Sequence, residues 1–445
     1  MKIQQFEYEP LSHYSYVLLS GGEMAIIDPD RDPMHYYNFA HKENAKIKVV
    51  LLTHSHADFV SSHWQISKET GATIYNSSRL EAEYPFESFD GNSAIFVGNT
   101  KLEAINTPGH SYDSISILAT DENEVALFTG DTLLIGDVGR PDLRGNENDK
   151  EQKKQALARE MFNTIRTKFK KIPNEAIIYP AHGAGSLCGK SMSADSSSTL
   201  GRERKDNWAF GHQNEDEFVK ELLEDQPFIP AYFKHDVAMN KKKVESIDMA
   251  TAKIPIHLNA ETPKENILIV DSRDENEFKQ GHWPQSINIM QGGEASSFET
   301  WLGTIIQPNE EFHLVVDSPK SVKTIARRVA KIGFENQLKA IITLSKKSFV
   351  ENERLDFKHF VQNLDNYTIV DVRNTDEVRK KKIFDGALNQ PLHELRDSIQ
   401  DIPNDKPIIV HCGSGYRSAI GSSILSNELQ DVKVYDLGEV IEKFK

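Results

Sequence analysis

The residues best suited to chemistry cluster in one short run, Thr53-His54-Ser55-His56-Ala57-Asp58-Phe59. Two imidazoles and a carboxylate fall within five positions there, directly after the apolar run Val49-Val50-Leu51-Leu52. This reads as a metal-binding turn at a strand end. Three later segments carry donors in similar settings: Thr107-Pro108-Gly109-His110, Thr129-Gly130-Asp131 and Pro180-Ala181-His182-Gly183. Each follows a strand-like run, so all four can meet at one edge of a sheet. A centre of two adjacent metals would want another donor directly after Asp58. Phe59 stands there, and a phenyl ring ligates nothing. The pattern points to one metal with open coordination positions, suited to activating a small molecule.

A second chemical signal lies near the C-terminus, in Ile408-Ile409-Val410-His411-Cys412-Gly413-Ser414-Gly415-Tyr416-Arg417-Ser418. A buried strand ends at Cys412, a small flexible loop follows, and Arg417 and Ser418 open a helix. Inward-pointing N–H groups of such a loop make a nest for negative charge. The helix N-terminus and Arg417 add to it, which favours a thiolate able to accept sulfur. The chain's other cysteine, Cys188, sits in the glycine-rich run Gly185-Ser186-Leu187-Cys188 just past His182. With only two thiols, no structural disulfide is expected.

These groups need a scaffold, and 445 residues imply more than one core. Residues 1–250 mix short β-like runs such as Met24-Ala25-Ile26-Ile27-Asp28 with helical patterns such as Lys150 to Lys168, which suggests an α/β layered domain. Two similar units follow, with expected spans 251–354 and 355–445. Asp271-Ser272-Arg273 in one and Asp371-Val372-Arg373 in the other lie 100 residues apart, and each unit continues into an apolar strand, a loop and a helical pattern. This is an internal duplication of a parallel α/β domain. A net charge of −15 disfavours non-specific nucleic-acid and anionic membrane binding. No apolar run approaches the ~18 residues of a membrane span. The N-terminus lacks an apolar signal core, so the expected location is the cytoplasm.

The order His-x-His-x-Asp, Gly-His, Gly-Asp and a late His resembles the metallo-β-lactamase superfamily, which implies an αββα sandwich. That family usually ends its first motif with His after the Asp, and the departure at Phe59 removes a ligand of a second metal. The stretches Thr129 to Leu143 and Ala181 to Lys190 resemble persulfide dioxygenases more closely still. That resemblance implies a mononuclear Fe(II), one per chain, held by His54, His110 and Asp131. It implies oxidation of a low-molecular-weight thiol persulfide by O2 to sulfite. His56, Asp58 and His182 then orient ligands or water around the metal, or alternatively complete a zinc site. Arg140 is either paired structurally with Asp142 or, as the resemblance implies, placed near the substrate entrance to attract an anionic thiol carrier. Cys188 is either a packed small side chain or a thiol lining the persulfide channel.

Cys412-x-x-x-x-Arg417-Ser418, with Asp371-Val372-Arg373 and Gly386-Ala387, resembles the rhodanese sulfurtransferases. A tyrosine phosphatase loop is one residue longer, and this shorter loop suits sulfur rather than phosphate. Counting along the first copy puts Ser318 opposite Cys412 and Lys323 opposite Arg417, so that copy reads as an inactive rhodanese. The whole reads as a metallo-β-lactamase αββα sandwich followed by two rhodanese-like parallel α/β domains. The activity implied is a bifunctional persulfide dioxygenase and sulfurtransferase that makes thiosulfate from sulfite and serves sulfide detoxification. Fusion raises the local concentration of the shared sulfite, and a homo-oligomer is expected. Two alternatives stay open: a two-zinc thioester hydrolase of the glyoxalase II type, and a non-enzymatic sulfur-relay or sensing protein.

Overall fold

Apolar residues along the first sheet face two ways, and both faces are buried. Tyr16, Leu18, Ala25, Ile27, Val49 and Leu51 pack into one cluster. Their neighbours Val17, Met24, Ile26 and Val50 pack into another with Tyr36 and Ile66, which come from the helices Met34–Lys42 and His63–Thr70. Such two-sided burial is the mark of a sheet sandwiched between layers. A register shift next to Lys48 lets Ile47 and Val49 share strand Lys46–Leu51 yet face opposite sides.

The computed structural model of the chain describes residues 1–122, 124–143, 149–261, 267–292, 297–345 and 349–445. The described residues form two units, Met1–Ala250 with Ala330–Gly333, and Thr251–Val329 with Phe334–Lys445. The first holds two six-stranded sheets. One runs Lys2–Tyr8, His13–Ser20, Glu23–Ile27, Lys46–Leu51, Thr73–Asn76, Glu87–Ser88. The other runs Ser198–Thr199, Ile177–Pro180, Val125–Gly130, Ile115–Thr120, Thr100–Asn106, Ala94–Val97. Leu102, Ile117, Ala126 and Phe128 of the second sheet join the first sheet's inner cluster. Its outer face is covered by Ala158, Met161 and Ile165 of the helix Lys150–Thr167. The layers are therefore helix, sheet, sheet, helix.

The second unit contains two all-parallel sheets. The five-stranded one is ordered Ile256–Ala260, Leu338–Leu344, Phe312–Val316, Leu268–Asp271, Ser286–Asn288. The four-stranded one is ordered Leu388–Asn389, Thr368–Asp371, Ile408–His411, Val434–Asp436. The duplication extends to side chains. Arg273 pairs with Asp271 as Arg373 does with Asp371. The Asn288 amide donates to the carbonyls of Asp271 and Arg273, and Asn389 repeats this on Asp371 and Arg373. No described helix is long and apolar enough to cross a membrane.

Candidate functional site

Both sheets of the first unit deliver donors. His54, His56 and Asp58 follow strand Lys46–Leu51, whereas His110, Asp131 and His182 follow Thr100–Asn106, Val125–Gly130 and Ile177–Pro180. Thr100–Asn106 and Val125–Gly130 both run antiparallel to Ile115–Thr120, and Ile177–Pro180 runs parallel to Val125–Gly130. All three thus leave their sheet at one edge. The Ile115 N–H, donating to Thr53 O at 2.8 Å, ties the two sheets together there. Asn240 clamps the first turn, its amide donating to His56 O at 2.9 Å and Phe59 O at 2.7 Å.

Hydrogen bonds settle the tautomers of two histidines. The Thr53 hydroxyl lies 2.7 Å from Asp28 Oδ2, which only accepts, so it donates there and accepts from His54 Nδ1–H at 3.0 Å. His110 Nδ1 lies 2.8 Å from the Arg140 carbonyl, again an obligate acceptor. In the neutral rings the lone pair then lies on Nε2, and both Nε2 atoms face Asp131 Oδ2, at 3.5 and 3.6 Å. That oxygen is buried and accepts no hydrogen bond. Two imidazole nitrogens and a carboxylate oxygen turned toward one point form a group able to hold a metal ion. Donors about 2.1 Å from an ion and 90–110° apart are separated by about 3–3.5 Å, so the observed spacing fits a metal.

Two glycines permit this closeness. A Cβ on Gly139 would lie 2.0 Å from Asp131 O and 3.0 Å from His110 Nδ1. Gly130 has φ +54°, and a Cβ there would lie 2.5 Å from Thr53 Oγ1.

The second cluster is different. His182 donates from Nδ1 to Asp131 Oδ1 at 2.7 Å and from Nε2 to Asp58 Oδ2 at 2.8 Å. Burial opposes its charge, but the carboxylates of Asp131 and Asp58 hold it well above the ordinary histidine range. His56 Nε2 lies 3.2 Å from Asp28 Oδ1 without hydrogen-bond alignment. Burial, and then His54, pushes His56 below its usual range. Phe59 is fully buried, its ring centroid 4.0 Å from that of His13 and 4.6 Å from that of His56. The structure thus brings His54, His110 and Asp131 together, and places His56, Asp58 and His182 in a second group.

Cys188 approaches Asp131 and His182. Burial, and then Asp131, pushes its thiol up to about 12, so it stays protonated at neutral pH. Arg140 forms the ion pair with Asp142 that was one of its two sequence readings. It is 1% exposed, its fork grips Asp142 at 2.6 and 2.8 Å, and its Nη1 donates to the carbonyls of Leu187 and Phe228. A guanidinium is tolerated at such depth only when paired in this way. Arg140 serves the site through its backbone carbonyl on His110.

Sequence reasoning missed the roles of Asp28, Thr53 and Asn240. Asp28 had a visible signal: it ends the apolar strand Glu23–Ile27, whose Ile27 pairs with Leu51 directly before the metal-binding turn. Thr53→Val keeps shape but frees the His54 ring. Chelator competition should show metal affinity about 10–100-fold weaker, as for other changes to groups that orient ligands.

In the second unit, Cys412 ends strand Ile408–His411 and is buried. The Gly415 N–H points at its sulfur, at 3.1 Å. Ser418 Oγ donates to Gly415 O at 2.8 Å and fixes the loop to the first turn of helix Tyr416–Glu428. Arg417 grips both oxygens of Glu377. Its charge is therefore shared with a carboxylate.

Strand register corrects the match between the repeats. Asp271 pairs with Val315 as Asp371 pairs with His411. Val316, not Ser318, therefore stands in register with Cys412. Counting back from the helices gives Ser318 because five residues separate Val316 from helix Val322–Lys331, against three between Cys412 and Tyr416. Lys320 and Lys323 are exposed. Neither position offers a thiol.

An αββα sandwich with imidazole and carboxylate donors converging at one sheet edge defines a metal-dependent enzyme domain, here joined to a duplicated parallel α/β unit. The metallo-beta-lactamase superfamily model matches residues 8–182, and the rhodanese-like domain model matches 257–342 and 356–440. The crystal structure of a metallo-beta-lactamase from Staphylococcus aureus is 31% identical, covers 77% of this chain and 99% of its own, and superposes with a TM-score of 0.67. The chain belongs to the metallo-β-lactamase superfamily, and rhodanese-like domains follow its metallo-β-lactamase fold. Among curated relatives, a probable hydroxyacylglutathione hydrolase of Schizosaccharomyces pombe is 30% identical over 38% of this chain and 63% of its own. The mitochondrial persulfide dioxygenase ETHE1 of Mus musculus is 29% identical over 39% of this chain and 66% of its own. The chain spans less than two thirds of either relative's length.

Proposed function

We propose that the chain is a bifunctional persulfide dioxygenase and sulfurtransferase, with one Fe(II) held by His54, His110 and Asp131. One observation carries the reading. The Nε2 atoms of His54 and His110 and the Oδ2 of Asp131 converge on one point, while a buried Phe59 stands where the superfamily pattern carries a donor of a second metal. Two imidazoles and one carboxylate on one face suit a non-haem ferrous site with open positions. A ferrous ion there would supply the binding and redox coupling of O2 and a persulfide. Thr53 and the Arg140 carbonyl fix the two imidazoles. His182 steadies Asp131 from behind, through Oδ1. The balanced reaction is RSSH + O2 + H2O giving RSH, hydrogen sulfite and a proton.

The Cys412 thiolate attacks the outer sulfur of a second persulfide, releasing the carrier thiol and forming a cysteine persulfide. Sulfite then takes that sulfur as thiosulfate and regenerates the thiolate. The product of one site is the acceptor at the other.

The oxygen electrode tests the reading, using iron-loaded protein and a panel of persulfides with sulfite and thiosulfate quantified. Oxygen uptake with one iron per chain is the expected result. Two zincs per active chain, with thioester hydrolysis in place of oxygen uptake, would instead support the hydrolase reading, which the Schizosaccharomyces pombe relative keeps in view. Phe59→His restores the absent donor, and zinc binding by this variant should rise above one per chain.

A further inference from the structure

The first rhodanese repeat has no cysteine, yet it reaches the loop of the second. Lys279, on helix Glu275–Gln280 of the first repeat, lies 2.7 Å from Asp436 Oδ2 at the end of strand Val434–Asp436 in the second. Lys279 also pairs with Glu275, so a single, partly exposed ammonium serves two carboxylates. Asp436 Oδ1 accepts the Gly438 N–H at 2.9 Å and holds the following turn. That turn lies against Gly415, where a Cβ would come within 3.1 Å of Gly438 C and Glu439 N. Gly415, at φ +114°, is the residue whose N–H meets the Cys412 sulfur.

The chain of contacts therefore runs from Lys279 through Asp436, the Gly438 turn and Gly415 to the sulfur. A second link starts from the same loop. The Tyr416 hydroxyl donates to Met290 O in the first repeat at 2.7 Å. The helix behind it is docked as well, with the Asn288 N–H donating to Ser423 Oγ at 2.9 Å.

We propose that the cysteine-free repeat holds the Cys412 loop in its sulfur-accepting geometry, and that Lys279 is the positioning residue that transmits this. The inference rests on reading Cys412 as a sulfur acceptor. It explains why a repeat without a nucleophile accompanies one that has it. Without Lys279 the carboxylates of Glu275 and Asp436 face each other with no shared cation, Asp436 shifts, and the Gly438 turn it anchors carries the Gly415 N–H away from the sulfur. Misplacement of this kind costs catalysis rather than binding.

The test uses the full-length protein and follows thiosulfate production from a glutathione persulfide and sulfite. Lys279→Met should lower kcat for sulfur transfer on the order of 10–100-fold with KM changed little. Oxygen uptake should be unaltered, and Lys279→Arg should recover most of the rate. The double variant Lys279→Met/Asp436→Asn should be no worse than Lys279→Met, because both act through one chain. Tyr416→Phe deletes a single hydroxyl and should lower kcat in the same direction, which decides the matter if Lys279→Met melts early. Full kcat in both variants overturns the proposal, as does additivity of Lys279→Met with Asp436→Asn. A wild-type chain that transfers no sulfur while oxygen uptake is normal would sink the reading of Cys412 itself, a distinct outcome.

Discussion

His110→Ala is expected to empty the metal site and abolish oxygen uptake while sulfur transfer at Cys412 continues. His110 supplies one of three groups that converge on a single point, and its Nδ1 proton is already committed to the Arg140 carbonyl. Alanine leaves His54 and Asp131, two donors where the geometry provides for three. Loss of an outer partner costs about 10–100-fold in affinity, and loss of a ligand costs more. Iron should therefore fall from one per chain to background in elemental analysis, and persulfide-dependent oxygen consumption should fall with it. The fold should survive, because the sheet edge is tied by backbone bonds such as Ile115 N–H to Thr53 O rather than by this ring. Unchanged turnover in the variant would remove His110 from the ligand set and with it the single-metal reading.

The donors were legible because each stands directly after an apolar run, and strands that end together bring their following turns together. The choice of His54, His110 and Asp131 among those donors followed from the resemblance to persulfide dioxygenases, and not from position alone. The groups that aim them were harder to see. Asn240 acts on His56 across 184 residues, a distance over which sequence carries no local pattern. Thr53 is adjacent to His54, yet its role depends on Asp28, which follows a neighbouring strand. Arg140 shows the limit in another form. Its charge is plain in the sequence, but whether a guanidinium faces a substrate or a carboxylate is decided by packing, and here Asp142 takes it. The repeat alignment failed for a related reason. Phe312–Val316 and Ile408–His411 are buried throughout, so neither alternates, and a parallel strand buried on both faces gives no register marker. Only the pairing to Asp271 and Asp371 shows that the first repeat's loop carries the extra residues and that Val316 answers to Cys412.

Cys412→Ser is expected to divide the two chemistries. A hydroxyl cannot carry a persulfide, so transfer through this loop should cease while the metal site in the other unit keeps its donors. Oxygen uptake should continue at an unchanged rate per iron, and sulfite should accumulate where the unaltered protein yields thiosulfate. Serine is nearly isosteric with cysteine, and the loop retains its other fixings, Ser418 to Gly415 O and Arg417 to Glu377. Loss of activity would then report chemistry and not collapse of the loop. Cys188 cannot substitute, because burial keeps it a neutral thiol with its pKa pushed up to about 12, and a neutral thiol is a poor nucleophile. Product analysis by ion chromatography decides between the outcomes. Thiosulfate formed at the original rate would mean that sulfur reaches sulfite without Cys412, whereas oxygen uptake lost with iron still bound would mean that the two sites do not act separately.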